Sequence, residues 1–255
     1  MYKFFVPEDQ IKENEIYITG TDVNHIANVL RLKISDKILI SSKEENQDNE
    51  KAYVTEIVKL SKESVVCRIV DIVAKSVESN VNIDLFQGLP KADKMEYIIQ
   101  KTTELGVKRI IPVNMNRCVV KIDNKSEKKK IDRWQKIAEV AAKQSKRDII
   151  PKIESIIKID DICKKCQNYD IILLAYENED KISIKNELQK LKMNIDNNSK
   201  INMGIIIGPE GGFSDIEVNK LIEAGTKCVS LGKRILRTET APIVMISDVI
   251  YEFEL

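Results

Sequence analysis

The sequence predicts an α/β protein, a mostly parallel sheet flanked by helices and preceded by a small β-barrel. Three observations predict it. Short β-branched runs crowd the N-terminal third, strands and helices alternate from Val81 onward, and two late strands are apolar throughout, as in a sheet covered on both faces. With 255 residues and 43% hydrophobic content, the chain has room for two domains with real cores.

Expected strands cover 15–19, 37–41, 52–58 and 64–70, with polar turns between them. Between the first two, Asp22 caps a short helix reaching Arg31, with Val23, Ile26, Ala27 and Leu30 at helical spacing. Residues 1–73 thus form a first domain and 74–80 a linker, leaving 81–255 as the second domain.

In that second domain a strand at 81–87 leads through Pro90 to a helix over about 91–105, closed by Gly106. Met95, Ile98, Ile99, Thr102 and Leu105 share one face of it. A strand at 109–113 and a helix around 127–146 follow. Trp134 lies on the Ile131–Ile137 apolar face and reads as core rather than as a platform for a base. Strands at 170–176 and 203–207 flank a lysine-rich helix near 181–192 and a polar tract, Asn194–Lys200. Ser214 and Glu217 make a capping box for a helix that Gly225 ends. A strand at 228–231 and a final helix from about Thr240, with Pro242 in its first turn, complete the chain.

Composition excludes several classes. No apolar run approaches the roughly 18 residues that span a bilayer, and the first residues lack the features of an export signal, so a cytoplasmic protein with no membrane partner is expected. Five dispersed cysteines suit free thiols; Cys163 and Cys166 have knuckle spacing but no second pair, so no metal site is expected. His25 is the only histidine and lies far from every Gly-rich loop, which argues against a His-based triad. The net charge of +1 hides an uneven distribution. Residues 108–147 hold 13 Lys/Arg against 4 Asp/Glu, a balance of +9 that favours a polyanionic partner.

The chemistry gathers at strand ends. Four of nine glycines fall within 204–212. Leu174-Ala175-Tyr176-Glu177, Ile207-Gly208-Pro209-Glu210-Gly211-Gly212 and Leu231-Gly232 each close an expected strand, where open parallel sheets bind ligands. The glycine loop lacks both the Lys-Ser/Thr of a P-loop and the spacing of a dinucleotide turn, and Glu210 and Asp215 would oppose a phosphate. A nucleoside ligand without phosphate, such as S-adenosylmethionine, fits better than a nucleotide; a purely structural glycine turn is the other reading.

Gly208–Ser214 followed by Leu231-Gly232 and Ile235-Leu236-Arg237-Thr238-Glu239-Thr240-Ala241 resembles the signature of the RsmE family of ribosomal RNA methyltransferases, in the SPOUT superfamily. Asp93-Lys94-Met95, Gln100–Val107, Arg117–Val120, Arg133–Ile137 and Gln144–Arg147 extend the resemblance over nearly the whole chain. It departs at Lys233, Val140 and Asn24, where Pro, Glu and His are expected. The resemblance implies a PUA-like barrel, a SPOUT domain with a C-terminal trefoil knot, and a homodimer. It implies methyl transfer from S-adenosylmethionine to N3 of a uridine (the position conventionally called U1498) in 16S ribosomal RNA of the small subunit. An idle RNA-binding or assembly factor, or a SPOUT enzyme acting on another RNA, are the alternatives.

On this resemblance the donor pocket takes in the three strand ends, with Ser230, Ile235, Leu236, Arg237, Thr240 and Ala241 added. Arg237 is the candidate cation for the uridinate oxygens, or else a salt-bridge partner of Glu239 or Glu210. Glu210 is a candidate base, or else a holder of loop amides. His25, Arg31, Lys94, Lys101, Arg117, Lys143, Gln144, Lys146 and Arg147 are the candidate RNA contacts.

Overall fold

A computed structural model describes residues 1–44, 51–73, 76–196 and 199–254. Ala74 and Lys75 of the expected linker, and Asn197 and Asn198 of the polar tract, lie outside the described residues. The chain divides into two units, Met1–Glu78 with Ala142–Ile150, and Ser79–Ala141 with Pro151–Leu255.

The first unit is a curled five-stranded sheet. Strands β1 (Lys3–Val6), β2 (Glu15–Thr19), β3 (Lys37–Ser42), β4 (Ala52–Leu60) and β5 (Ser64–Val73) lie in the order β1-β3-β4-β5-β2. Among the described residues β1 pairs with β3 in parallel and the other strand pairs are antiparallel. The β4–β5 ladder slips register at Val54/Thr55 and Ile57/Lys59, and such irregularities bend a sheet into a half-barrel. Strand β1 was not expected, because Lys3-Phe4-Phe5-Val6 is buried at every position and shows no alternation.

Helix α1 (Thr21–Asn24) passes into a π turn, His25–Val29, with Leu30 N–H donating to His25 O at 2.8 Å. The wider turn breaks the 3.6 spacing, so Val23 and Ile26 are buried while Ala27 and Leu30 are only half-buried. Residues 142–150 are fastened to this unit by buried charge. Lys3 Nζ lies 2.7 Å from Asp148 Oδ1, and Asp148 also accepts from Val77 N–H at 2.9 Å. Arg147 pairs with Glu78, both buried.

The second unit is an α/β layer structure. Its elements are β6 (Val81–Gly88), α2 (Lys94–Glu104), β7 (Arg109–Asn114), α3 (Asn124–Ser145, whose residues from Ala142 onward group with the first unit), β8 (Lys152–Ile153), β9 (Ile157–Lys158), α4 (Ile159–Lys165), β10 (Ile171–Ala175), α5 (Ile184–Asn194), β11 (Ile201–Ile207), α6 (Asp215–Glu223), β12 (Lys227–Val229) and α7 (Ala241–Glu254). The sheet runs β12-β10-β11-β6-β7-β8, with β9 also on β7, and every pair is parallel.

Leu173, Ile205, Leu85 and Ile110 are fully buried along its middle. Trp134 lies on the buried face of α3 with Ala138 and Ala142. Helix α2 starts three residues later than the periodicity predicts, because Ala92 takes φ 52° and breaks the turn ahead of it. Helix α4, with the two-residue strands β8 and β9, was too short to leave a periodic trace. Among the described residues no helix is long and apolar enough to cross a membrane.

Candidate functional site

The order β12-β10-β11 makes the three expected strand ends neighbours, with Ala175 paired to Val229 and Leu174 to Ile206. Beyond them opens a cleft of about 420 Å³, within the range of small-ligand sites. Ala175, Tyr176 and Glu177 form one wall, Ile207–Glu210 and Gly212 the floor, and Ser230–Gly232, Ile235–Arg237 and Ala241 the other wall. Three expected residues do not line it. Leu174 is core beneath the cleft, Gly211 turns its carbonyl to Arg117 Nη1 at 3.1 Å, and Thr240 accepts the first α7 hydrogen bond, from Val244 N–H. Lys94, Phe213, Lys233, Arg234 and Thr238 line it without having been expected there. Phe213 and Thr238 lie inside the recognised motifs, so adjacency was the available signal.

The glycine loop is held by its neighbours. Ser214 N–H donates to Glu217 Oε2 at 3.0 Å, completing the capping box, while Glu217 Oε1 accepts from Asn116 N–H at 2.7 Å. Gly212 has φ +67°, a conformation that favours glycine, and a Cβ there would come within 3.2 Å of Glu177 Oε1. Gly88 is required by close approach: a Cβ on it would stand 2.7 Å from both Pro209 Cδ and Pro209 N.

Charge at the rim is partly balanced. Lys94 Nζ lies 3.0 Å from Glu210 Oε1 and 3.1 Å from Glu239 Oε2, the latter an ion-pair contact rather than an aligned hydrogen bond. Glu210 also accepts from Lys91 N–H at 3.1 Å. Burial pushes the Glu210 carboxyl up, but Lys94 and the loop amides outweigh it and hold the group below its usual range. Arg237 is 82% exposed, with only a loose 3.9 Å contact to Glu239.

The expected RNA contacts separate into two kinds. Lys143 pairs with Asp22 at 3.0 Å, Lys101 with Glu104 at 2.9 Å, and Arg147 is buried against Glu78. His25, Arg31, Arg117, Gln144 and Lys146 are exposed. His25 meets the Phe4 ring edge-on at 6.1 Å.

Residues 77–250 match the model of the RNA methyltransferase domain, and residues 18–70 that of the RNA methyltransferase PUA domain. The ribosomal RNA small subunit methyltransferase E of Bacillus subtilis is 37% identical over all of this chain and 98% of its own length. The chain belongs to the ribosomal RNA small subunit methyltransferase E family. The Mesomycoplasma hyopneumoniae protein of the same name is 33% identical over 98% of this chain and 99% of its own. A crystal structure of methyltransferase E from Neisseria gonorrhoeae, bound to S-adenosyl methionine, superposes with a TM-score of 0.82 at 30% identity. That match covers 98% of this chain and 97% of the gonococcal one. The departures at Lys233, Val140 and Asn24 are all at exposed positions.

Proposed function

We propose that this chain is an S-adenosylmethionine-dependent methyltransferase that modifies N3 of a uridine in 16S ribosomal RNA, within the small ribosomal subunit. The proposal includes a cytoplasmic homodimer and a C-terminal trefoil knot. The observation that carries the reading is the cleft at the ends of β10, β11 and β12 in a member of this family.

The lining fits the donor. Backbone groups at Gly208, Leu231 and Gly232 and apolar side chains at Ile207 and Leu236 suit a flat heterocycle. The Glu177 carboxylate beside Gly212 suits ribose hydroxyls or a cationic group, and opposes a phosphate. Ala175, Tyr176, Pro209, Ser230, Ile235 and Ala241 complete the enclosure. Bound there, S-adenosylmethionine supplies an electrophilic methyl group on a sulfonium.

Uridine N3 becomes nucleophilic when its proton passes to solvent water, and the resulting charge spreads to the ring oxygens. Arg237 lines the cleft and has an exposed guanidinium, so it is the cation that stabilises those oxygens. Glu210 is a poor proton acceptor, since Lys94 and the Lys91 amide already hold its carboxylate ionised. Its role is to anchor the glycine loop. His25, Arg31, Lys94, Lys101, Arg117, Lys143, Gln144, Lys146 and Arg147 remain the proposed RNA-contacting set, and the exposed members can reach phosphate without first breaking an ion pair.

Calorimetric titration with S-adenosylmethionine, followed by labelled-donor methylation of naked 16S RNA and of the assembled small subunit, tests the reading. Saturable donor binding and label at N3 of one uridine are expected. A chain that binds no donor is no methyltransferase, and label on another atom or another RNA removes the uridine assignment.

A further inference from the structure

Gln87, near the C-terminal end of β6, is fully buried on a strand paired with β11 on one side and β7 on the other. Its Nε2 donates to Gly88 O at 3.1 Å and to Thr238 Oγ1 at 3.0 Å. Thr238, itself buried, donates its hydroxyl to Gly208 O at 2.7 Å. These contacts determine one another. A carbonyl cannot donate, so the single hydroxyl hydrogen of Thr238 goes to Gly208, and Thr238 can only accept from Gln87. Both amide hydrogens of Gln87 are then used, and the amide orientation they require leaves Oε1 buried with no hydrogen-bond partner among the described residues. Leaving a buried acceptor unpaired is unfavourable, and the arrangement persists because the two donated bonds require it.

We infer that Gln87 and Thr238 are positioning residues of the donor cleft, a two-bond relay that holds the Gly208 loop and the 231–241 loop at a fixed separation. Gly208 belongs to the floor and Thr238 to the facing wall, so the Thr238 hydroxyl joins the two sides directly, and Gln87 on the neighbouring β6 holds that hydroxyl in place. Neither Gln87 nor Thr238 acts on the methyl group or the uridine. The inference rests on the donor-pocket reading above and assigns that pocket its rigid frame.

Thr238→Val removes the hydroxyl at nearly constant volume, Thr238→Ser retains it, and Gln87→Glu sets carboxylate oxygens against Gly88 O and forfeits both donors. Expected are a donor Kd raised about tenfold in Thr238→Val and Gln87→Glu, the factor one buried hydrogen bond carries, and recovery in Thr238→Ser. The KM for RNA should stay unchanged. Hydrogen exchange of the 208–213 and 230–241 amides in the free protein should quicken in Thr238→Val and not in Thr238→Ser. Wild-type affinity and exchange in Thr238→Val would overturn the relay, as would a Thr238→Ser variant no better than Thr238→Val. If the wild type binds no donor, the proposed function fails, while the exchange comparison still decides the relay.

Discussion

Lys94 Nζ lies 3.0 Å from Glu210 Oε1, an ion pair that joins the start of α2 to the glycine loop. The same ammonium reaches Glu239, so a single side chain braces both motifs of the cleft. A lysine that the sequence offers as a phosphate contact is also, in the fold, a strut.

Removing the strut should loosen the donor site before it weakens RNA binding. Lys94→Ala is expected to raise the donor Kd roughly two- to fivefold, the upper end for a partly screened pair. Calorimetry with S-adenosylmethionine, alongside filter binding of RNA, would separate the two effects. A loss confined to RNA affinity would leave Lys94 a phosphate contact and not a strut.

The pH dependence follows from the same pair. The Glu210 carboxyl titrates below its ordinary value of 4.5 in the folded protein. Its contribution is therefore complete above that value and is lost as pH falls through the depressed pKa. Donor affinity should be flat near neutrality and fall only in acid, and Lys94→Ala should move that fall to higher pH. Titrations at a series of pH values check this; an unmoved acid limb would uncouple Glu210 from Lys94.

Arg237→Ala should abolish most methyl transfer while donor binding survives. A drop in kcat of roughly 100-fold or more is expected for losing one preorganised charge at a developing anion. Full activity in the variant would remove Arg237 from the chemistry.

Gly88→Ala is expected to be costly although the residue has no unusual φ. The added methyl would meet Pro209 backbone, which cannot rotate away. Overpacking of this kind costs about 1–3 kcal/mol, readable by urea denaturation, with donor binding weakened in parallel. A neutral Gly88→Ala would show that the glycine loop can retreat.

In the first unit, Asp148→Ala leaves the Lys3 ammonium buried without its partner. Removing one member of a buried pair costs about 3–5 kcal/mol, so the variant should unfold at markedly lower denaturant. Replacement of both residues by apolar ones should recover much of that loss.

Much of the architecture was legible in the residues. Alternating β-branched runs, the Ser214–Glu217 capping box and the apolar runs at 171–175 and 203–207 are local patterns, and local hydrogen bonding and burial enforce them. Strand β1 escaped because a run buried at every position has no period, and α1 misled because a π turn shifts the faces. The position of Gln87 gave no warning, since a polar strand end is unremarkable until its partner is known.

Properties of neighbours along the chain sufficed for the order of most elements, the cluster of glycines at strand ends and the regional excess of positive charge. Long-range packing, by contrast, set β10, β11 and β12 side by side, grouped residues 142–150 with the first unit, and fixed which cations spend their charge on carboxylates. The reason is separation. Gln87 and Thr238 are 151 residues apart and meet only because a parallel sheet returns the chain to the same edge, and no local periodicity encodes such a meeting.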